Sequence, residues 1–462
     1  MFDRKHVWLS SALVTASTMI VYLGLAARDI ILARWFGISD TLDVFYIAML
    51  WPMYVVAIIG QPFGEVFTVQ FNKIKSKKNS DINIFIAESV GLITGVLFIL
   101  SILIGLFLPD VVLAIGWKFD ASKQADVVEM VLYLLPLIVM SGVVISANSL
   151  LNAVGKHTVA SFSPVVVPVF ALIAVVVFSE TYGVKIVAIG MTIGQFVNLV
   201  IVAFALYRTG YVLYPRIKGI ISRAKTSFGL YLPYVIVAFC VTSLVPTDQL
   251  MSSGLEAGSV STYTLGAKVV YFITALSSTV LTMVLFPFFS HHISEDRNEH
   301  AKDELVQWVS IATFIMVPVT MLFILFSEYI ISILYVGNEF KLEDVRPVSF
   351  VMDVSLMQLP FMIVNLVIMK YLVADRKIIT IAIPFGSALV LNIILNYVLM
   401  DSYGINGIAA ATSIAAILTT IMLFMLGKYR KDIPPMNIKK LIPVWGVFMF
   451  SMVAIISFKY GI

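Results

Sequence analysis

Several ionisable and amide side chains of this sequence stand inside long apolar runs. Such groups are costly in apolar surroundings, so they usually pair with one another or serve a ligand or ion pathway. The residues to which we assign chemistry are Arg28, Asp29, Glu65, Asp248, Lys268, Asn392, Asn396 and Thr412, with Arg34 as a weaker candidate. They divide into one group suited to a small cation and another suited to a larger polar ligand.

The small-cation group consists of Asp248 and three neutral side chains. Asn392 and Asn396 are four residues apart and share one helix face, and Thr412 shares a face of the next helix with Ile408. One carboxylate with amide and hydroxyl oxygens suits Na⁺, or a proton on the carboxylate. The alternative is routine hydrogen bonding between membrane helices. The sequence predicts no other metal site and no organic cofactor.

The second group consists of Arg28, Asp29, Arg34, Glu65 and Lys268. The first three follow about twenty apolar residues, so the alternative for them, and for Lys268 near a helix start, is simple snorkelling to the membrane interface. Glu65 ends a stretch with two glycines and a proline, Gly60-Gln61-Pro62-Phe63-Gly64-Glu65. These residues weaken a helix, as expected where it bends around a cavity.

The composition indicates a polytopic membrane protein. Of 462 residues, 60% are hydrophobic and only 13% are charged, whereas a soluble chain carries about 25% charged residues. Apolar runs long enough to span a bilayer number about thirteen, from 9–34 to 441–458, and short alternating strands of a barrel are missing. A soluble enzyme and a disordered chain are therefore excluded.

The charges predict an orientation. With the N-terminus in the cytoplasm, 21 of the 31 lysines and arginines fall in inner segments and six in outer segments. This asymmetry follows the positive-inside rule. It is distributed over alternate loops, so we expect no nucleic-acid partner despite the net charge of +4.

An internal repeat predicts the architecture. Tyr182-Gly183-Val184 matches Tyr403-Gly404-Ile405 at an offset of 221 residues, and Lys156 matches Lys377 at the same offset. Six spans in each half give both halves the same orientation. The predicted fold is all-α, with two six-helix bundles as a parallel repeat around a central cleft, in domains 1–215 and 216–430. Residues 431–462 add one further helix.

A duplicated bundle without soluble domains indicates a carrier rather than an enzyme. No ATP-binding or nucleophile motif occurs in the sequence. A membrane-bound glycosyl transfer enzyme is the competing class, but it would need a large outer loop with catalytic groups. The longest predicted outer loop is only 109–126. Transport by alternating access, driven by an ion gradient or the membrane potential, is therefore expected.

The helix 1–2 region resembles one known family. Arg28-Asp29-Ile30-Ile31-Leu32-Ala33-Arg34-Trp35-Phe36-Gly37, followed by Asp43-Val44-Phe45-Tyr46-Ile47-Ala48 and Pro52, is similar to the opening of MurJ-type (MviN) lipid II flippases. These belong to the multidrug/oligosaccharidyl-lipid/polysaccharide exporter superfamily. Leu151-Asn152-Ala153-Val154-Gly155-Lys156 and Gly258-Ser259-Val260-Ser261 resemble two further corners of that family.

The resemblance implies a polyprenyl-pyrophosphate-linked saccharide as cargo, either lipid II or a polysaccharide repeat unit. It would be flipped across the bacterial inner membrane, from the cytoplasmic to the outer leaflet. Arg28 and Lys268 would then face the cleft and hold the pyrophosphate through charge-assisted hydrogen bonds. The alternative within the superfamily is a cation-coupled multidrug exporter, which should favour an acidic, aromatic cleft instead.

Overall fold

The computed structural model describes residues 4–75, 82–115, 119–211, 213–295, 297–434 and 438–461, and no strand occurs among them. The all-α class is thereby confirmed. In chain order the α-helices are α1 Arg4–Phe36, α2 Asp40–Val55, α3 Gln61–Lys75, α4 Ile82–Ile115, α5 Ala121–Ala153, α6 His157–Phe162, α7 Val166–Tyr182, α8 Lys185–Tyr207, α9 Ile220–Thr242, α10 Leu244–Ser252, α11 Ser259–Ser294, α12 Asn298–Leu325, α13 Ser327–Tyr335, α14 Leu342–Leu356, α15 Leu359–Ala374, α16 Ile378–Tyr429 and α17 Ile438–Tyr460.

Eleven described helices are long and apolar enough to cross a membrane. The number rises to twelve when α14 and α15, bent by 42° at their junction, count as one span. The thirteenth predicted span lies within α16. This element has 52 residues, and a straight helix of that length would extend about 78 Å, far beyond the ~30 Å of a bilayer core.

Helix α16 in fact reverses at Gly404. That residue has φ 55° and ψ −134°, which is not helical. Asn392 Nδ2 lies 3.0 Å from Thr412 Oγ1, although twenty residues of straight helix would separate them by about 30 Å. The element is therefore two antiparallel arms, 378–403 and 405–429, as the sequence predicts.

The repeat recurs in the backbone at four corners. Left-handed φ values occur in pairs 221 residues apart: Gly37 and Gly258, Gly155 and Arg376, Gly183 and Gly404, and Gly210 and Lys431. The hydrogen bonds repeat as well. Lys156 N donates to Leu151 O at 2.8 Å, and Lys377 N donates to Leu372 O at 2.8 Å. Equivalent helices of the two halves thus end with the same backbone geometry.

The second span is irregular next to residues 60–65, where the sequence predicts a weakened helix. Residues Val56–Gly60 form a π-helical turn between α2 and α3. Such single-turn bulges interrupt the regular hydrogen-bond ladder. This turn directly precedes Pro62, which lacks an amide proton.

The chain forms two compact units. The first comprises residues 1–32 and 40–242, and the second comprises 33–39 and 243–462. Helix α9 belongs with the first unit, although it follows the predicted boundary at residues 215 and 216. The division at residues 215 and 216 concerns the two halves of the repeat and stays a prediction. Helix α17, outside the repeat, packs against α12 and α14 in the second unit.

Candidate functional site

Asp248 lies at the centre of a buried polar cluster in the second unit. It stands in the middle of the short helix α10, and its side chain is fully buried. The two arms of α16 supply Asn392 and Asn396 from one side of the reversal and Thr412 from the other. All three are at most 2% exposed. The structure therefore brings together the four residues that the sequence grouped.

Each carboxylate oxygen of Asp248 accepts two hydrogen bonds. Oδ1 accepts from Asn392 Nδ2 at 3.2 Å and from Asn396 Nδ2 at 3.0 Å. Oδ2 accepts from Thr412 Oγ1 and from Tyr263 Oη, both at 2.5 Å. Among the described residues no lysine or arginine forms a salt bridge with Asp248. Hydrogen bonds alone therefore compensate this buried acid.

The donor set fits a small hard cation or a proton. Rotation of an asparagine amide exchanges its NH₂ group for its oxygen, so the cluster can present carboxylate, amide and hydroxyl oxygens together. Asn396 Oδ1 is already buried without a hydrogen-bond partner in the described part of the chain. Oxygen ligands of this kind suit Na⁺ rather than a soft transition metal.

Tyr263 and Tyr271 belong to this cluster and were missed from the sequence. Both lie on α11, and their hydroxyl oxygens are 3.3 Å apart. Gln249 on α10 also donates to Thr264 on α11, at 2.8 Å. The one sequence feature that could have indicated these tyrosines is the run of hydroxyl residues at the start of α11. That run is as typical of helix packing as of a site.

In the first unit, Arg28 is paired within its own helix. Its Nε and Nη2 donate to Asp29 Oδ1 at 3.0 and 2.7 Å. Its guanidinium carbon is 5.6 Å from the Phe45 ring centre, and Nη1 is 3.5 Å from Met191 Sδ. Arg28 and Asp29 are only 4% and 1% exposed. Snorkelling to an interface does not describe this buried ion pair.

Arg34 caps a helix in the second unit. Its Nε donates to Leu334 O at 2.9 Å and its Nη2 to Ile333 O at 2.7 Å. These carbonyls belong to the last turn of α13, where no intrahelical donor is available and a cation is favourable. Glu339 N in turn donates to Arg34 O at 2.9 Å. The Arg34 guanidinium thus has a structural role, because it connects α1 to the end of α13.

Lys268 and Glu65 are the remaining members of the predicted cargo group. Lys268 is half-buried on α11 in the second unit, and Glu65 is exposed on α3 in the first, after the π-helical turn. Each unit thus contributes members of the predicted cargo group. Of that group, Arg28 and Asp29 form a salt bridge with each other within the first unit.

A second buried acid, Asp353, fixes the end of the chain. Lys459 Nζ lies 2.9 Å from Asp353 Oδ2 and 2.5 Å from Ser327 Oγ. Tyr460 Oη donates to the same carboxylate oxygen at 2.9 Å. The contacts join α17 to α13 and α14. Neither Asp353 nor Lys459 was assigned a role from the sequence.

Comparison with known proteins identifies the family. The sequence model described as "Lipid II flippase MurJ" matches residues 32–460. The chain belongs to the lipid II flippase MurJ family. A relative from Thermotoga maritima, named probable lipid II flippase MurJ, is 25% identical over 402 residues, covering 86% of this chain and 80% of the relative. One from Vibrio cholerae, with the same name, is 24% identical and covers 91% and 82%.

Solved structures support the same MurJ-type fold. The structure titled "Lipid II flippase MurJ, inward closed conformation" has a TM-score of 0.77 at 21% identity, covering 96% of this chain and 92% of that one. An inward-facing multidrug resistance MATE family transporter of the MOP superfamily has a TM-score of 0.67 at 12% identity, covering 91% and 98%. The chain therefore has the multi-pass helical fold that MurJ shares with these transporters.

Proposed function

We propose that this protein flips a polyprenyl-pyrophosphate-linked saccharide from the cytoplasmic to the outer leaflet of a bacterial inner membrane. The match of the MurJ family to residues 32–460 carries this proposal. Both relatives described above are named for lipid II. Lipid II and a polysaccharide repeat unit share the pyrophosphate and the polyprenyl chain. The step is translocation, with the N-terminus in the cytoplasm and no covalent chemistry on the cargo.

The Asp248 cluster is our candidate for the coupling site. A carboxylate buried among apolar helices without a cationic partner is costly. Binding Na⁺ or a proton neutralises that charge. Because the ligands come from α10, α11 and both arms of α16, a bound cation favours the arrangement in which these helices stay together. The ion gradient can thereby bias the conformation of the second unit.

Arg28 and Lys268 are our candidates for holding the cargo phosphates, and Asp29 and Glu65 are further candidates for contacting the cargo. The Arg28–Asp29 pair adds a constraint that the sequence alone did not give. A phosphate must compete with Asp29 for the guanidinium, so binding there replaces one charge-assisted contact by another. This exchange favours reversible binding, which a flippase needs. Arg34 is left out because its Nε and Nη2 donate to the carbonyls at the end of α13.

The proposal is tested by reconstitution. Purified protein in vesicles is given fluorescent lipid II, a fluorescent polyprenyl-pyrophosphate repeat unit, or a fluorescent cationic drug, under a Na⁺ or a pH gradient. We expect flipping of at least one lipid-linked saccharide, normalised to inserted protein, and stimulation by one gradient. Transport of the cationic drug alone would overturn the proposal and favour a multidrug exporter.

Variants separate cargo binding from a structural role. Removing one charge-assisted contact costs about 1.5–3 kcal/mol, or roughly ten- to a hundredfold in affinity. Arg28→Ala and Lys268→Ala should therefore each impair flipping, and Lys268→Arg should be tolerated. Full normalised activity in both alanine variants would remove these cations from the mechanism.

A further inference from the structure

An apolar groove lies within the first unit where α3, α4 and α9 meet. Its volume is about 190 Å³. Its walls are aromatic and aliphatic, with Phe63, Phe67, Leu92, Val96, Phe228 and Tyr231 among the lining residues. The lining includes none of the residues assigned above to cargo or ion. We call this cavity the α3–α4–α9 groove.

The polar lining groups collect at one end of this groove. Gln70 lies in the second half of α3, Ser89 near the start of α4, and Arg223 and Ser227 near the start of α9. Gln70 Nε2 and Ser227 Oγ are 3.0 Å apart, which places these ends side by side. The charge asymmetry predicts that this end faces the cytoplasm. A groove polar at the interface and apolar in the membrane matches the layout of a lipid.

Arg223 lies at the polar end with donor capacity to spare. Its Nη2 is 2.9 Å from Glu88 Oε2, and its guanidinium carbon is 4.8 Å from the Phe85 ring centre. Its Nε is buried without a hydrogen-bond partner among the described residues. With Nη2 on Glu88, the guanidinium can still donate from Nη1 to a phosphate oxygen.

Residues 216–225, which precede and begin α9, have the character of a membrane-surface element. Ile217 and Ile221 are 85% and 74% exposed. They alternate in sequence with Arg216, Lys218 and Arg223, and Lys225 follows. Exposed isoleucines beside cations are typical of segments lying in a headgroup layer, where anionic lipids attract each lysine or arginine. This segment leads directly into the groove.

We propose that the α3–α4–α9 groove binds an acyl chain of an anionic phospholipid of the cytoplasmic leaflet, with the phosphate at Arg223 and basic residues 216–225. The small volume suits part of one chain. The hydrogen bonds between Gln70 and Ser227 leave these two groups little capacity to recognise a saccharide. The groove can therefore recognise a ligand by its negative charge and by its apolar chain. An anionic phospholipid has both.

The bound lipid would hold α9 against α3 and α4. Among the described residues of α9, Cys240, at 9% exposure, has the only buried side chain, so the other side chains of this helix keep exposed surface. The groove lies beside Tyr231, whose hydroxyl donates to Ile59 O in the π-helical turn at 2.7 Å. An acyl chain there adds apolar contact along the helix. Anionic lipid should therefore slow changes in the position of α9.

The experiment uses the full-length protein in nanodiscs with a photoreactive diazirine in one acyl chain of phosphatidylglycerol or of phosphatidylethanolamine. We expect phosphatidylglycerol to label peptides of α3, α4 and α9 several-fold more strongly than phosphatidylethanolamine. Lys218→Gln with Lys225→Gln should weaken this preference by about fivefold per lysine. The matched control, Lys428→Gln with Lys431→Gln, removes two exposed cations elsewhere and should leave the labelling unchanged.

A groove-filling variant tests the apolar part. Ala224→Phe should reduce labelling of α4 and α9. Val280→Phe is its control, because it fills a different apolar groove of about 270 Å³ in the second unit. Equal labelling by both lipids, or labelling of α4 and α9 that Ala224→Phe does not change, would overturn the proposal. So would displacement of the label by polyprenyl pyrophosphate but not by unlabelled phosphatidylglycerol. None of these outcomes depends on which saccharide is flipped.

Discussion

Asn392 and Thr412 are twenty residues apart on the two arms of α16, and Asn392 Nδ2 lies 3.0 Å from Thr412 Oγ1. The reversal at Gly404 makes this contact. It also places both side chains on the carboxylate of Asp248, which belongs to a different helix. A single turn of the chain thus gathers oxygen-bearing side chains around one acid.

Asp248→Asn should abolish ion-driven flipping. The variant keeps the size of the side chain while removing the charge that a cation would neutralise. Its NH₂ group can donate to the hydroxyl oxygens of Thr412 and Tyr263, which can accept as well as donate. We expect normal insertion and thermal stability, with transport reduced to the level of protein-free vesicles. The measurement is lipid flipping in vesicles under a Na⁺ or pH gradient, normalised to inserted protein.

Asp353→Asn is the matched control, since Asp353 is also fully buried in the second unit. It is paired with Lys459, so its loss should affect stability more than coupling. If Asp248→Asn flips cargo at the wild-type rate, the cluster is only a set of interhelical hydrogen bonds. The same holds if both aspartate variants behave alike.

The sequence predicted the cluster because its signals were local. Asn392 and Asn396 are four residues apart, and helical periodicity alone places them on one face. The sequence also placed Asn392 and Thr412 on two successive helices, and it matched Gly404 with Gly183 in the internal repeat. Tyr263 escaped because its contact with Asp248 depends on how α10 meets α11, which periodicity does not determine. The contacts of Arg34 could not be predicted for a related reason, since its partners are carbonyls three hundred residues away.

The ion pair between Lys459 and Asp353, which anchors α17, could not be predicted from the sequence either. Lys459 and Asp353 are 106 residues apart, and each has a plausible place near a helix end. Only the packing of α17 against α14 makes them partners. The same packing places Tyr460 on the carboxylate and within 3.0 Å of Ser349 Oγ.

A double-mutant cycle should reveal this anchor. Lys459→Met leaves the buried carboxylate without its cation, at a cost of about 1.5–3 kcal/mol. Adding Asp353→Asn removes the unpaired charge, so the double variant should be more stable than Lys459→Met alone. Thermal unfolding in detergent measures each variant. Additive losses would mean that the two side chains do not interact.

The predicted orientation can be tested with reporter fusions. The excess of inner lysines and arginines places Gly219 in the cytoplasm and Ser122 and Gly337 outside. Enzymatic reporters that are active on only one side of the membrane, inserted at each residue, should give these assignments. A cytoplasmic signal at Ser122 would contradict the map, because it would invert the third and fourth spans.

Gly404→Ala should destabilise the protein through backbone strain alone. A Cβ at Gly404 would meet no heavy atom within 4 Å, so no clash contributes. Its φ of 55° with ψ −134° is a conformation for glycine, and another residue there costs about 1–3 kcal/mol. Gly183→Ala should behave alike, since Gly183 has φ 63° and ψ −155° and is equally open.

Gly229→Ala provides the control for that comparison. Gly229 lies within α9 and is also free of neighbours within 4 Å, but it has an ordinary helical conformation. Alanine there should be neutral or stabilising, by up to about 1 kcal/mol. The measurement is the unfolding temperature of the three glycine variants in the same detergent. A loss at Gly229 equal to that at Gly404 would argue against strain at the repeat corners.

Asp432 should make the stability of the second unit sensitive to acid. Burial alone would raise the pKa of this carboxyl, but hydrogen bonds from Thr380 and Arg430 and the charge of Lys377 lower it below its usual value. Arg430 Nε is 3.0 Å from the carboxylate. A folded-state pKa below the unfolded one means that the ionised group stabilises the fold above about pH 4. That contribution is lost as the pH falls through the folded-state value.

The measurement is the unfolding temperature of wild type and Asp432→Asn between pH 7 and pH 3. Because Arg430 and Lys377 are 39% and 43% exposed, water screens the pair, and the difference should be only about 1 kcal/mol. Wild type should be the more stable at pH 7, and the two curves should converge below pH 4. Parallel curves over the whole range would show that Thr380, rather than the charge, holds the two ends of α16 together.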